Sequence, residues 1–225
     1  MAQLAIAELH SRDKILDAAE ALFARRGFSA VGMREVAEAA GLGKSSLFHH
    51  FKGKAELYAA VVGRILDIFD RRLMAALAAG GEPARRFDRW IDALIDTLAE
   101  HRTSARLLLR SLFEDDDLAG ESEEERHANR TIQHIFSAAA TLLREGMDGG
   151  VFRRANIAHT LQSLVGLTVY HFASGEFGEE LLGRPLYAAE EVRRRKLEVK
   201  ALLHAGLTTG SRTRPVGRTK KDSDG

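Results

Sequence analysis

Cysteine is absent from the 225 residues, which excludes disulfides, thiolate metal sites, iron–sulfur clusters and a cysteine nucleophile. Proline occurs only three times, at Pro83, Pro185 and Pro215, so long helices can run uninterrupted through 1–82 and 84–184. No stretch approaches the ~18 consecutive apolar residues of a membrane span, and Met1 to Ser11 lacks the basic and apolar regions of a secretion signal. Secretion and membrane insertion are therefore not expected, and a cytoplasmic location is. Neither sign of charge dominates, with 33 Lys+Arg against 32 Asp+Glu and a net charge of +1, so any contact with nucleic acid must come from a local basic patch. What is present is ordinary for a folded domain: 45% hydrophobic and 29% charged residues, enough to bury a sizeable core and to exclude global disorder.

Glycines punctuate the chain, and between them apolar residues recur at helical spacing. Ile15, Ala18, Ala19, Leu22 and Phe23 line one face of a first helix that Ser11 would cap and Gly27 would end. Two short helices follow, about 33–40 and 44–50, then a long one from Lys54 to Gly80-Gly81. Pro83 opens a clean amphipathic helix carrying Phe87, Trp90, Ile91, Leu94, Ile95 and Leu98. Ala105, Leu108, Leu109, Leu112 and Phe113 continue the pattern up to Asp115-Asp116-Asp117, which reads as a solvated loop. Ser122 and Glu125 form a capping box for a helix ending at Gly149-Gly150. Two more, about 155–173 and 188–207, bring the expected number to nine. No alternating run supports a sheet, so the fold class is all-α.

The chemistry-bearing stretch lies between Gly27 and Leu57, where two short helices flank the turn Gly41-Leu42-Gly43. That spacing is helix-turn-helix geometry, in which the second helix enters the DNA major groove. Lys44-Ser45-Ser46-Leu47-Phe48-His49-His50 suits a reading helix. It has donors at its start, one inward Leu47, and rings that pack on sugars or donate to phosphates. From Gly27 to Lys54 there are four basic residues, Arg34, Lys44, Lys52 and Lys54, against Glu35 and Glu38. Charge alone is a weak signal, since short basic helices are commonly just solvated faces.

The wording of this stretch is more specific. Gly27-Phe28, the run from Met33 to Lys54, and Glu56-Leu57 closely resemble the N-terminal DNA-binding domain of the tetracycline-repressor (TetR) family, over about residues 11–60. Beyond these residues only the number, length and order of helices agree. The resemblance implies a homodimeric transcriptional regulator, usually a repressor, released from a palindromic operator in double-stranded DNA by a small molecule bound among the C-terminal helices. Carried onto matching positions, Arg34, Lys44, Ser45 and His49 would read bases, and Ser46, His50 and Lys54 would hold phosphates. Three positions depart from the family's pattern. Phe48 stands where Tyr is usual, which removes a hydroxyl, and Gly43 and Gly32 stand where side-chain caps are usual. The implied organisation is a DNA-binding domain over 11–58, a ligand-binding and dimerisation domain over 59–207, and a basic tail over 208–225. The tail, with five basic and two acidic residues, is expected to be disordered. A helical-bundle dimer that has lost DNA binding is the alternative.

No enzymatic constellation has a recognisable spacing, and neither catalysis nor a cofactor is expected. His127 and His134 stand two turns apart, ~10 Å, too far to share one ion, so surface histidines are expected and a metal is not. Asp88, Asp92, Asp96 and Glu100 form an acidic stripe, and Arg102, Arg106 and Arg110 a basic one, read as salt bridges in preference to a clamp for an anionic effector. Trp90, Arg106, Phe113, His134 and Tyr170 are the candidates for lining an effector pocket of apolar or amphipathic character. Leu161, Leu164, Val165 and Thr168, with Val199, Leu202 and Leu203, are expected at a two-fold dimer interface, because they supply more apolar stripe than a terminal helix pair is expected to bury within one subunit.

Overall fold

The computed structural model describes residues 2–111 and 122–208, residues 2–7 as backbone alone. Ten helices follow one another: α1 (Ala2–Arg26), α2 (Met33–Ala39), α3 (Lys44–His50), α4 (Lys54–Ala78), α5 (Pro83–Glu100), α6 (Ser104–Ser111), α7 (Glu123–Asp148), α8 (Ile157–Ala173), α9 (Glu176–Leu182) and α10 (Ala189–Leu207). Among the described residues the only extended pairing is one antiparallel bridge between Phe152 and Thr208, so the chain is all-α. The helix beyond the nine expected is α9, seven residues between Gly175 and Gly183, too short to show a periodic stripe. α1 also starts earlier than expected: it is continuous from Ala2, and Ser11 lies inside it instead of capping it. The Asp115–Asp117 run and the tail beyond Thr208 lie outside the described residues.

The first three helices close over Ile15, Phe23, Val36, Leu47 and Phe51, all fully buried. Tyr58, at the start of α4, packs edge-on against Phe23 and Phe28, with ring centroids 5.1 and 5.2 Å away. α4 then continues unbroken through 25 residues and buries Ile65, Leu66, Phe69 and Leu73 in the second core. The expected boundary between residues 58 and 59 thus falls inside one helix, a stiff connection rather than a linker.

α7 packs along α4, opened by the expected capping box of Ser122 and Glu125. His127 and His134 do not meet a common ligand: His127 lies 2.9 Å from Asp67, and His134 Nδ1 2.7 Å from Asp70 Oδ1. The acidic stripe of α5 does not meet the basic stripe of α6: Glu100 pairs with Arg72 of α4 at 2.5 Å, and the other three carboxylates meet α10. Asp88 pairs with His204 at 2.7 Å, Asp92 with Lys200 at 2.8 Å and Asp96 with Lys196 at 2.5 Å. Descending numbers on one helix against ascending numbers on the other make this an antiparallel, partly exposed ladder.

The expected dimer face requires correction. Leu161, Leu164, Thr168, Val199 and Leu203 are buried by this chain's own helices, and Val165 is half-buried against the same core. The reason is that α8 is packed by α5, α6 and α7, and α10 by α5, which cover stripes that seemed to need a partner. Of the named set only Leu202 is largely exposed.

One close approach makes a direct test of the packing. A Cβ on Gly146 of α7 would lie 2.1 Å from the ring of Phe152, which is itself buried and packed edge-on to Phe87 at 5.6 Å. The ring has nowhere to retreat. Gly146→Ala is expected to destabilise the fold by ~1–3 kcal/mol or more through overpacking, despite alanine's better helix propensity, and a urea midpoint at or above wild type would refute this.

Candidate nucleic-acid interface and cavity

The turn between α2 and α3 is made by Gly41, whose φ of 68° lies in the left-handed region that glycine enters without strain. Gly32 and Gly43 sit at the N-caps of α2 and α3, and neither helix has a side-chain cap. Leu47, fully buried, anchors α3 on the core. Lys44, Ser45, Phe48 and His49, at positions i, i+1, i+4 and i+5, are thereby turned to solvent on one face. Lys44 Nζ lies 5.6 Å from the Phe48 ring centroid. Arg34 is exposed at the start of α2 and held by Glu38 at 2.8 Å, an exposed i,i+4 pair that costs little to open.

Ser46 and His50 are half-buried at the edge of this face. Burial, then the neighbouring His49 and Arg12 charges, holds the His50 pKa below its ordinary value, so at neutral pH it can offer an N–H but no charge. Lys54 is placed differently from the expectation. Its ammonium donates to the carbonyls of Phe28 at 3.1 Å and Ser29 at 3.4 Å and sits 4.3 Å from the Phe28 ring centroid. It ties the loop before α2 to α4, leaving limited capacity for a phosphate.

A cavity of about 250 Å³ lies between α4, α5, α6, α7 and α8. Of the five residues expected to line an effector pocket, Trp90 does so. Arg106 is exposed on α6 with its guanidinium beside Gly175. His134 is on the surface with Asp70, Tyr170 is 52% exposed, and Phe113 lies outside the described residues. Phe136, a bulky residue of the apolar stripe of α7, lines the cavity as well, whereas periodicity does not mark the walls formed by Val62, Leu66 and Phe69 of α4 and Ile132 of α7. The one available signal was the breadth of α4's apolar surface, wider than a single packed stripe.

α6 connects the two regions. Leu108 and Ser111 face the cavity, while Arg110 Nη1 donates to the carbonyl of Phe23 at 2.8 Å. That carbonyl belongs to the last turn of α1, where a cation is favoured by the helix dipole. Gly27 is needed beside it: its φ is +83°, and a Cβ there would come within 3.1 Å of Arg110 Nη1. Tyr58 Oη donates to the Leu107 carbonyl at 3.4 Å, and Thr103 Oγ1 to Glu20 of α1 at 2.6 Å.

A buried three-helix head, an exposed α3 face carrying Lys44 and His49, and a separate apolar cavity behind it make this a helix-turn-helix protein. Residues 15–61 match the family described as bacterial regulatory proteins, tetR family, and residues 83–201 match a tetracyclin repressor-like C-terminal domain. The chain belongs to the TetR family. It is 29% identical over 134 residues to the transcriptional repressor KstR of Mycolicibacterium smegmatis, covering 59% of this chain and 64% of that protein. With the transcriptional activator FasR of the same organism it shares 34% identity over 100 residues, covering 44% and 46%. The chain thus spans less than two thirds of the length of these curated relatives. A solved structure of AibR, in complex with isovaleryl coenzyme A and operator DNA, superposes with a TM-score of 0.68 over 85% of this chain and 97% of that one, at 16% identity.

Proposed function

We propose that the protein is a ligand-responsive transcriptional repressor: a homodimer that holds a palindromic operator and releases it when a small molecule enters the cavity. The observation that carries this reading is the double engagement of α6, with Leu108 and Ser111 on the cavity and Arg110 on the end of α1. An occupant that displaces this helix must also shift the head, and its effect on operator affinity equals its preference for the displaced state. Arg34, Lys44, Ser45 and His49 are the base readers in this reading, and Ser46 and His50 the phosphate contacts. Lys54 contributes by fixing the head on α4. The dimer forms through the outer faces of α8 and α10, where Tyr170, Leu197 and Leu202 are exposed and Ser163 and Gly166 permit close approach.

Selection of bound duplexes from a random pool tests the central claim. An inverted repeat with half-sites about one helical turn or a multiple apart is expected, and an asymmetric site would refute it. Arg110→Ala tests the linkage. Loss of its hydrogen bond leaves the reading face intact but the head less rigidly held, so operator affinity is expected to fall about three- to tenfold through lost preorganisation. An operator Kd equal to wild type, with circular dichroism unchanged, would remove Arg110 from the mechanism.

A further inference from the structure

On the reading that the cavity is the effector site, the polar groups around it fix the charge of what it accepts. α7 presents one continuous stripe to the cavity, Glu125, Ala128, Asn129, Ile132, Ile135 and Phe136, at the i, i+3, i+4 spacing that puts side chains on one helix face. Glu125 and Asn129 thus stand one turn apart on the cavity side, at the start of α7. The hydroxyl protons of the lining are already committed: Ser111 Oγ donates to the Leu108 carbonyl and Thr168 Oγ1 to the Leu164 carbonyl, both at 2.8 Å. Trp90 Nε1 is itself buried, which leaves the cavity only the indole ring.

The three consecutive glutamates that open α7 are not equivalent. Glu123 pairs with Arg126 at 2.9 Å and with Arg130 at 2.7 Å, and Glu124 pairs with Arg12 at 3.4 Å. Glu125 is 7% exposed and has no cation among the described residues; its Oε2 accepts only the Ser122 N–H, at 3.1 Å. The described lining contains no Lys, Arg or His. The sequence between Ser111 and Ser122 contains none either, and its five charged residues are all carboxylates.

A buried carboxylate is costly without a counterion, and one neutral N–H offsets that cost only in part. A ligand ammonium supplies the missing partner through a charge-assisted hydrogen bond, with the Asn129 amide oxygen one turn away as a second acceptor. An anionic head meets repulsion at the same place and no compensating cation. We propose that the cavity takes an apolar ligand whose protonated amine sits against Glu125, and that it discriminates against the same apolar body carrying a carboxylate.

Three probes that differ only in the head group make the test: 4-phenylbutylamine, 4-phenylbutan-1-ol and 4-phenylbutanoate, titrated into the full-length protein at pH 7.5 by calorimetry. Trp90 is the only tryptophan of the chain and lines the cavity, so its emission places the bound probe. The amine is expected to bind saturably and at least tenfold more tightly than the carboxylate, with the alcohol between them. Glu125→Gln keeps an acceptor for the Ser122 N–H but removes the charge, and is expected to cost the amine tenfold or more and to bring amine and carboxylate together. Asn129 is exposed, so Asn129→Asp leaves the core untouched. It adds a second carboxylate beside the first and is expected to tighten the amine three- to tenfold.

No saturable binding of the amine overturns the proposal, as does a carboxylate that binds equally well or an amine affinity unmoved by both substitutions. Operator anisotropy in the same titrations separates this inference from the reading beneath it. An amine that binds in the expected order but leaves the operator bound supports the inference and overturns the effector role. Release by 4-phenylbutanoate alone overturns the inference and leaves the effector role standing.

Discussion

Replacing Lys44 by alanine is expected to weaken binding to the selected operator far more than binding to a scrambled duplex of equal length. The side chain stands exposed at the first position of α3, on the face it shares with Ser45, Phe48 and His49, and the role proposed for it is contact with a base edge. Such a contact is worth ~1–3 kcal/mol of discrimination. The proposed dimer would make it once in each half-site, so the total is about 2–6 kcal/mol, a loss of at least roughly thirtyfold in operator affinity. On scrambled DNA the variant loses only the electrostatic share of one cation per head, visible as a shallower dependence on salt. Anisotropy with both duplexes at one fixed salt concentration makes the comparison. Equal losses on the two would reassign Lys44 to the phosphate backbone.

Acid is expected to destabilise the protein through His171, at the C-terminal end of α8. The imidazole is 7% exposed, packs edge-on to Phe172 at 4.8 Å and leaves Nε2 without a hydrogen-bond partner. Burial, assisted by the nearby Arg195 guanidinium, pushes its pKa down to about 4. The folded protein therefore holds His171 neutral where the unfolded chain, with an ordinary pKa near 6.5, takes up a proton. Between those two values the unfolded state binds more protons, so stability is full above about pH 6.5 and is lost as the pH falls toward 4. The loss from this residue is on the order of 2–3 kcal/mol. Urea unfolding of wild type and His171→Leu at pH 7.5 and 4.5 isolates it, because carboxylates common to both proteins cancel in the difference. The wild type is expected to lose about 2–3 kcal/mol more than the variant between the two pH values, and parallel losses would refute the assignment.

The helix-turn-helix head is legible in the sequence because its information is local. Gly41 in the turn, the inward Leu47 and the outward Lys44, Ser45 and His49 follow from sequence spacing within some twenty residues, and a helix of given phase leaves little choice of face. The capping box of Ser122 and Glu125 was equally readable, since both partners lie within one turn. Helical class followed from periodicity and the scarcity of proline.

Contacts between helices distant in the chain are of another kind. Whether Leu164 and Thr168 meet a second subunit or their own α6 and α7 depends on which helices cover α8, and an apolar stripe is identical in either case. Trp90 lines a cavity while Phe87, one turn earlier on the same face, packs on Phe152. Only the spacing of surrounding helices distinguishes a filled site from an empty one. The α5–α10 ladder, the capture of Lys54 by the Phe28 and Ser29 carbonyls and the grip of Arg110 on Phe23 join residues from 25 to 116 positions apart. Side-chain type supplies the charge in each of these pairs, but the partner is chosen by packing, which no local spacing encodes.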